Sequence, residues 1–363
     1  MSELQVTSVA PVFGASTVSA WTPGNLAALL SSDTHAGYLR DIVASSEDGD
    51  GNYAYGQLTN IAMIYLFVHH PAKPRRDKTR IEYLRELIAF LHYIEAIGYT
   101  DIRQLSRSDM ERYQRYLDER YPKSTTRSKK VTLVHAFLAW CYEENYLTKD
   151  VTRGLVAVKV NREEIPEREI DESKLQAAID FYAENPKVQS LLLIISTSGL
   201  RLNELLQPVW GDLYYDTAKQ RYYLRTITKR GKKRHALIKD YAVEVLKEYR
   251  RRVGLPAELD LEDKSPFYPN RSGKHYRLSS LSTYLSKKMA AAGLKTIEGH
   301  RTTPHFLRHA FAQVAYANGA STDYISETLG HSDTRITKVN YLSRRIKKDH
   351  DVGEFVDFRP KGL

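Results

Sequence analysis

Apolar residues recur at helical spacing in the first half of this chain, and this periodicity limits the folds that the chain can adopt. From Lys78 to about Leu155, apolar side chains stand three and four positions apart, with polar residues between them. The clearest run is Ile81, Leu84, Leu87, Ile88 and Leu91. Such spacing gives a helix one apolar stripe, which has to be buried against other helices. The sequence therefore predicts an all-helical first domain.

Two further helices are predicted within that domain. One runs from Ser108, which could cap it with Glu111 three residues on, to Arg120. The other runs from 124 to 144. The stretch from 158 to 170 is dense in charge, contains Pro166 and shows no apolar face. Such a composition is typical of an exposed connection between domains, so we place the domain boundary there.

The second half of the chain is predicted to be helical with a small sheet. Helices are indicated near 172–184 and 188–198, and mostly helical segments resume from Tyr241. Turns containing Asp216 and Gly231 separate three short strands between these helices. The predicted strands are 212–215, 221–228 and 234–238. The expected fold class is mainly α with a small antiparallel β-sheet.

Length and charge suit a two-domain protein with a polyanionic partner. The chain has 363 residues, of which 27% are charged and 42% hydrophobic, enough for two packed cores. A formal net charge of +10 and a pI near 9.3 favour nucleic acid as the partner, because neutralised phosphates release counterions. Charge alone is weak evidence, since many basic proteins bind no nucleic acid.

Cysteine usage and apolar runs indicate a cytoplasmic protein without a membrane span. Cys141 is the single cysteine, so neither a disulfide framework nor a cysteine-based zinc site can form, and a buried core thiol is expected. The longest apolar run, from Leu191 to Ile195, is far too short to cross a bilayer. The first residues lack a basic region followed by an apolar stretch.

The first segment whose residues could take part in a reaction runs from Thr197 to Leu206 and contains a glycine and an arginine. Gly199 ends an apolar helix, and Arg201 stands at the start of the next element. A guanidinium held there could form a fork on two phosphate oxygens, and Glu204 lies on the same helical face to fix it from behind. The alternative is a purely structural pair of Arg201 and Glu204.

A basic turn between two predicted strands forms the second segment, Thr226 to Arg234. Lys229 stands at the end of the first strand, just before Gly231. A hairpin tip could push its ammonium group toward a backbone phosphate. The alternative is an ordinary solvated basic turn.

The third segment, Thr303 to His309, carries the most specific pattern. Thr303 can cap a helix that has Pro304 at its first position. His305 and Arg308 then lie three apart on one helical face, where both can meet the same phosphate. A zinc site at His305 and His309 is disfavoured, because the zincin pattern requires glutamate directly after the first histidine.

The fourth segment runs from Leu329 to Ser332 and is followed by Tyr341. Gly330 suits a left-handed residue at the end of a helix over 322–329, so His331 should emerge from a sharp turn. Tyr341 falls in a predicted helix from 333 to 348. Taken alone, Tyr341 would be a packing residue, one of 25 tyrosines.

In order and spacing, these four segments resemble the catalytic boxes of the tyrosine recombinase (integrase) family, which includes Xer-type chromosome dimer resolvases and phage integrases. The resemblance covers about residues 78–345. One departure is the step from His331 to Tyr341, which is ten positions where the family usually has nine. The positions that match the catalytic set are Arg201, Lys229, His305, Arg308, His331 and Tyr341, with Glu204 in support.

The resemblance implies a role for each residue and a domain organisation. Tyr341 would attack the phosphate, Lys229 would protonate the leaving oxygen and His305 would act as base or hydrogen-bond partner, while the other cationic groups stabilise charge. It also implies a two-domain C-shaped clamp around DNA. The expected parts are an N-terminal extension of unknown role (1–70), a helical core-binding domain (71–157), a linker (158–170), a catalytic domain (171–348) and a tail (349–363).

The implied function is site-specific DNA recombination through a covalent 3′-phosphotyrosine, with no metal and no cofactor. The implied partners are double-stranded DNA with specific recombination sites, a homo-tetramer on paired sites, and an accessory or partner recombinase. A type IB topoisomerase or telomere resolvase, and a non-enzymatic DNA-binding regulator, are the alternatives. Further DNA contacts are expected at Arg75, Arg76, Lys123, Arg127, Lys129, Lys130, Arg230 and Lys232, for which a solvated surface charge is the alternative.

Overall fold

The computed structural model divides the chain into two compact units, residues 1–165 and 166–363. It describes residues 12–15, 17–44, 55–164, 168–228, 231–331, 333–338 and 341. Lys229, Arg230 and the tail at 349–363 therefore lie outside the described residues. Within the described ranges, no helix is both long enough and apolar enough to cross a membrane.

The first unit is helical, as the periodicity predicts. Leu84, Leu87 and Leu91 lie in its core, and Ile81 packs half-buried against it. Cys141 is buried in the same core, and burial raises the pKa of its thiol. The helices are α1 (Pro23–Leu29), α2 (Ala36–Ala44), α3 (Asn60–Val68), α4 (Asp77–Ala96), α5 (Arg107–Arg120) and α6 (Ser124–Glu143).

The start of α5 differs from the prediction by one residue, and its cap differs by two. Ser106, rather than Ser108, is the N-cap residue, and its partner is Asp109 rather than Glu111. The Asp109 carboxylate accepts a hydrogen bond from the Ser106 backbone N–H at 2.9 Å, and the Ser106 hydroxyl accepts one from the Asp109 N–H at 3.4 Å. This reciprocal pair satisfies two of the free N–H groups at the helix start.

Residues before 71 form part of the core of this unit. Leu26 and Met63 are buried in the same apolar cluster as Leu84. The Asn60 side chain donates to the backbone of Thr100 at 2.9 Å and accepts from the N–H of Ile102 at 3.2 Å. These bonds join α3 to the loop after α4.

The second unit places helices around a three-stranded antiparallel sheet with strand order β1-β2-β3. Leu213, Leu224 and Ala236 face each other across the three strands and are buried, so one face of the sheet lies on the core. The strands are β1 (Leu213–Asp216), β2 (Arg221–Ile227) and β3 (Lys233–Ile238). The helices are α7 (Glu172–Asp180), α8 (Pro186–Ser198), α9 (Leu202–Leu206), α10 (Asp240–Arg252), α11 (Leu278–Ala291), α12 (Pro304–Ala317), α13 (Thr322–Thr328) and α14 (Thr334–Thr337).

Element bounds in this unit agree with the predictions to within a few residues. The largest difference is at α7, which ends at Asp180 rather than near 184. In the predicted helix from 333 to 348, the described residues are helical from Thr334 on, with α14 over Thr334–Thr337 and π-helical backbone at Lys338 and Tyr341; the other positions of that range lie outside the described residues. Thr303 precedes α12 as predicted, but its hydroxyl makes no capping hydrogen bond.

Candidate active site

A left-handed glycine shapes the entrance of the site. α8 ends at Ser198, and Gly199 follows with φ of +61°. A Cβ atom at this position would lie 2.6 Å from Phe311 and 2.9 Å from Leu329, so only glycine fits both the backbone and the space. The turn makes Arg201 the N-cap residue of α9.

Glu204 gathers three guanidinium groups. Its side chain is 1% exposed and lies 2.7 Å from Arg201, 3.1 Å from Arg234 and 3.7 Å from Arg308. A carboxylate surrounded by cations in a buried place offsets part of their mutual repulsion. Arg201 keeps 29% of its side chain exposed, which leaves it accessible to a ligand.

Arg308 is completely buried, and its hydrogen bonds go to turns on either side of α12. It donates to the backbone carbonyls of Gly199 and, at 2.6 Å, of Leu329. Its Nη2 lies 3.2 Å from His331 Nε2, and its Nε donates to the Tyr341 hydroxyl at 3.4 Å. Burial, followed by the charge of Arg201, lowers the pKa of Arg308. The guanidinium is therefore rigidly held with one edge on the phenol.

His331 emerges from the turn after α13, as predicted. Gly330, with φ of +64°, makes that turn. His331 Nδ1 lies 2.8 Å from the Thr337 hydroxyl, and its Nε2 faces the Arg308 guanidinium. Because arginine only donates hydrogen bonds, Nε2 accepts and Nδ1 carries the proton. This assignment fixes the neutral tautomer of His331.

The Tyr341 ring packs in a small apolar cluster with Ala312, Ile325 and Leu329, and its hydroxyl reaches the Arg308 guanidinium. The residue is 8% exposed, with its ring centre 5.2 Å from that of His331 and its hydroxyl on Arg308. A π-helical turn holds one residue more than an α-helical turn. The π-helical backbone at Tyr341 thus fits the ten-residue step from His331.

His305 lies beside the phenol on the first turn of α12. Its ring centre is 6.2 Å from that of Tyr341, and its side chain keeps an exposed side. Desolvation by the surrounding protein lowers the pKa of His305 to about 4, and the charges of Arg168, Arg308 and Arg201 add to this effect. The imidazole is therefore neutral near pH 7.

The structure thus brings Arg201, Arg308, His331 and Tyr341 together, with His305 at the rim. The position of Lys229 is outside the described residues, and the residues on either side of it are joined by backbone hydrogen bonds. The Thr228 N–H donates to the Lys232 carbonyl and the Gly231 N–H donates to the Thr228 carbonyl, each at 2.9 Å.

Two residues of the site were not predicted as members. Arg234 donates to Glu204 and, at 2.7 Å, to the Ser198 carbonyl, and burial lowers its pKa to about 10. Strand alternation gives the signal, because Arg234 shares the inward face of β3 with Ala236. His309 is 1% exposed and stacks on Tyr341, whereas its sequence pattern raised only the question of a zinc ligand.

The residues expected to contact DNA differ in their surroundings. Arg75 donates to the carbonyls of Phe67 and Val68 at 2.8 and 3.0 Å. Arg127 bonds to the Tyr121 carbonyl at 2.9 Å, and Lys130 pairs with Glu86 under the ring of Tyr121. These three cations have structural partners. The exposed members of the set are Arg76, Lys123, Lys129 and Lys232, whereas Arg230 lies outside the described residues.

Over the part of the chain that the structure describes, no group of three or more histidine, cysteine, aspartate or glutamate side chains is placed to hold a metal ion.

Two protein-family models match the chain. The model described as phage integrase family matches residues 168–347, and the model described as phage integrase N-terminal SAM-like domain matches residues 66–145. Among curated proteins, the tyrosine recombinase XerD of Caulobacter vibrioides is 30% identical over 266 residues, which cover 70% of this chain and 84% of the relative.

Solved structures share the fold. The XerH site-specific recombinase in a post-cleavage complex with palindromic difH substrate has a TM-score of 0.61 at 15% identity, covering 92% of this chain and 97% of that one. A lambda integrase tetramer bound to a Holliday junction has a TM-score of 0.58 at 14% identity, covering 83% of this chain and 78% of that one.

Proposed function

Because this chain belongs to the phage integrase family of tyrosine recombinases, it is a site-specific DNA recombinase, and we propose that it works through a covalent 3′-phosphotyrosine at Tyr341. The observation that carries the proposal is the 3.4 Å contact between the Tyr341 hydroxyl and the Arg308 guanidinium within one subunit. A phenolic oxygen held on a buried cation is placed to attack a phosphate that the same cation binds.

The proposed reaction is a transesterification at one backbone phosphate. The Tyr341 oxygen forms a bond to phosphorus, and the bond between phosphorus and the 5′-oxygen breaks. The phenolic proton passes to His305, whose lowered pKa keeps it neutral beforehand, and Lys229 gives a proton to the departing 5′-oxygen. The covalent bond conserves energy, so a 5′-hydroxyl from another strand can reverse the step.

Charge stabilisation is the proposed task of the remaining residues. The attacked phosphate gathers negative charge on its non-bridging oxygens. Arg201, with part of its side chain exposed, would bind these oxygens, and Arg308 would face them from the interior while His331 Nε2 accepts a hydrogen bond from it. Glu204 would hold Arg201 and Arg308 in place between reactions.

The proposed substrate is double-stranded DNA with specific recombination sites, which the first unit and the catalytic unit bind together. Two duplexes exchange strands through four cleavages, so we propose a homo-tetramer, as in the lambda integrase tetramer on a Holliday junction. Of the expected DNA contacts, Arg76, Lys123, Lys129 and Lys232 are exposed and suited to phosphate binding. The proposed location is the cytoplasm, where such DNA lies in cells without a nucleus.

A covalent selection tests the proposal and identifies the DNA site in the same experiment. Full-length protein is incubated with a pool of nicked duplexes of random sequence, in which a nick lets the short 5′-hydroxyl fragment diffuse away. Protein–DNA adducts that survive denaturation are recovered, sequenced and re-selected. We expect one sequence to dominate the pool, with the adduct mapped by mass spectrometry to Tyr341.

Tyr341→Phe is the matched control, since it removes only the attacking oxygen. We expect no adduct from this variant and unchanged binding to the selected duplex. An adduct at another residue, or none from the wild-type protein, would contradict the mechanism. Relaxation of supercoiled plasmid without sequence preference would instead indicate a topoisomerase.

A further inference from the structure

A buried histidine lies face to face with the proposed nucleophile. The rings of His309 and Tyr341 are 4.0 Å apart between centres and inclined by only 21°. His309 itself is 1% exposed, and His305 from the preceding helical turn packs edge-on against it at 4.8 Å. Because the phenol can otherwise turn about its side-chain bonds, this stack defines the plane in which its oxygen lies.

A residue at the start of the second unit contacts the ring of this histidine. Arg168 Nη1 lies 3.2 Å from His309 Nε2. As arginine only donates, His309 Nε2 accepts the bond and the ring proton stays on Nδ1. Burial, together with cationic neighbours including Arg168, lowers the pKa of His309 to about 2, so the ring is neutral under working conditions.

The two residues after Arg168 fix its backbone within the second unit. The next residue, Glu169, accepts a backbone hydrogen bond from Ile297 at 2.9 Å, and Ile170 is buried in the core. The guanidinium also lies 6.0 Å over the ring of Phe306. Arg168 therefore has a fixed position from which to orient His309.

We infer that Arg168 and His309 are positioning residues for the nucleophile: Arg168 fixes the His309 ring, and His309 fixes the plane of Tyr341 so that its oxygen faces Arg308. This inference rests on the proposed function, since it concerns how the attacking oxygen is aimed. Neither residue touches the phosphate in this scheme, so their loss slows attack and leaves DNA affinity intact. A misplacement of about 1 Å is enough to cost a large factor in rate.

The test measures two quantities for each variant: the single-turnover rate of adduct formation on the selected nicked duplex, and the affinity for the same duplex in the Tyr341→Phe background. For Arg168→Ala we expect a rate roughly tenfold or more below wild type with affinity within about twofold. Arg168→Lys keeps a cationic donor and should recover most of the rate. Arg252→Ala, which changes an exposed arginine paired with Glu248, is the matched control and should match wild type.

Two changes at His309 separate stacking from mere space filling. His309→Phe keeps a flat ring against the phenol, whereas His309→Leu keeps the apolar bulk without the plane. We expect His309→Phe to cleave at least about ten times faster than His309→Leu. Urea unfolding of each variant identifies any that fails to fold, and the Arg168 pair decides the matter if both His309 variants do.

The outcomes separate this inference from the function beneath it. If wild type forms the adduct and Arg168→Ala matches its rate, the positioning scheme is wrong and the recombinase mechanism stands. A parallel loss of rate and affinity would make Arg168 a DNA ligand or a folding residue and would also overturn the scheme. If the wild-type protein forms no adduct, the proposed mechanism fails first and the positioning scheme falls with it.

Discussion

At the residue scale, the buried carboxylate of Glu204 compensates the positive charges of the arginines in the site. It is the common partner of Arg201, Arg234 and Arg308, each of which would otherwise face the other two. Glu204→Gln keeps the shape and removes the charge. We expect the free energy of unfolding of the second unit to fall by about 3 kcal/mol, since breaking a buried ion pair leaves charges without compensation.

Urea unfolding, followed by the fluorescence of Trp210 in a background without Trp21 and Trp140, would measure this loss. Glu248→Gln is the matched control, because Glu248 pairs with Arg252 and Arg251 at the surface of α10. An unchanged midpoint for Glu248→Gln and a large fall for Glu204→Gln are expected. Equal midpoints for both variants would show that the arginine cluster does not depend on its carboxylate.

His309 makes the second unit sensitive to acid. The folded state keeps it neutral because burial lowers its pKa to about 2, whereas the unfolded chain protonates it near pH 6.5. The unfolded state therefore binds an extra proton below pH 6.5, so stability is complete above that value and is lost as the pH falls. The expected loss from this residue is about 1.4 kcal/mol per pH unit.

Unfolding free energies at pH 5.5 and 4.5 would test this slope. His309→Phe should make the dependence shallower by about 1.4 kcal/mol over that unit. A slope that is the same in wild type and His309→Phe would mean that the folded protein protonates His309.

Spacing along the sequence identified the residues of the site whose positions are set by nearby turns and helix ends. Arg201, Arg308 and His331 follow glycine or proline signals that fix where each side chain emerges, whereas Tyr341 was identified by its order and spacing after His331. The sequence did not identify three other residues, Arg168, Arg234 and His309, because their roles depend on contacts across the fold. Arg168 comes from a segment whose composition resembles a solvated linker, and Arg234 comes from a turn with several similar charges.

At the element scale, the junction between α8 and α9 depends on Gly199. Gly199→Ala would place a methyl group 2.6 Å from Phe311 and strain the left-handed backbone. It would also shift the carbonyl that accepts from Arg308. We expect the second unit to lose about 2–4 kcal/mol of stability, from backbone strain and overpacking together.

Gly293→Ala provides a matched comparison for this loss. Gly293 has a similar φ of +69° but nothing within 4 Å of the added atom. It should cost only the backbone strain, about 1 kcal/mol. The Trp210 unfolding assay measures both, and equal losses would rule out the packing contribution of Phe311 and Leu329.

Element types were predictable because helical and strand periodicity are strong over long segments, whereas element ends were not. Two serines, Ser106 and Ser108, lie near the start of α5, and from the sequence either could cap it; only the contact with Asp109 decides for Ser106. The π-helical backbone at Lys338 and Tyr341 could not be predicted from the hydrophobic pattern, which does not distinguish it from an α-helix.

At the scale of the whole molecule, the net charge of +10 should make DNA affinity steeply dependent on salt. Replacing each of two neighbouring lysines, Lys129 and Lys130, compares a proposed DNA contact with a structural ion pair. Lys129 is exposed, whereas Lys130 pairs with Glu86 and is 13% exposed. For Lys129→Gln we expect the slope of log affinity against log salt to fall by about 0.9, the contribution of one phosphate contact.

Lys130→Gln should keep that slope and lower the stability of the first unit instead. Fluorescence anisotropy of a labelled duplex across a salt series gives the slopes, and urea unfolding gives the stability. A slope that is unaltered by Lys129→Gln would remove Lys129 from the DNA interface.

Domain content before residue 71 was the least predictable part of the molecule. The cluster of glycine, serine and aspartate at 45–51 interrupts the apolar pattern, so the short helices on either side resemble an extension without a core. Their apolar residues join the same buried cluster as those of α4 and α6, which lie later in the chain.

Two of the hydrogen bonds that Arg308 donates close backbone turns, and another edge of the same guanidinium meets the phenol. The same side chain therefore stabilises the fold and holds the nucleophile, and a substitution of Arg308 removes both functions at once. An inert protein that still grips its target is obtainable by deleting the Tyr341 oxygen but not by altering Arg308. Anyone building a catalytically silent DNA-binding version of this chain should start from the phenol.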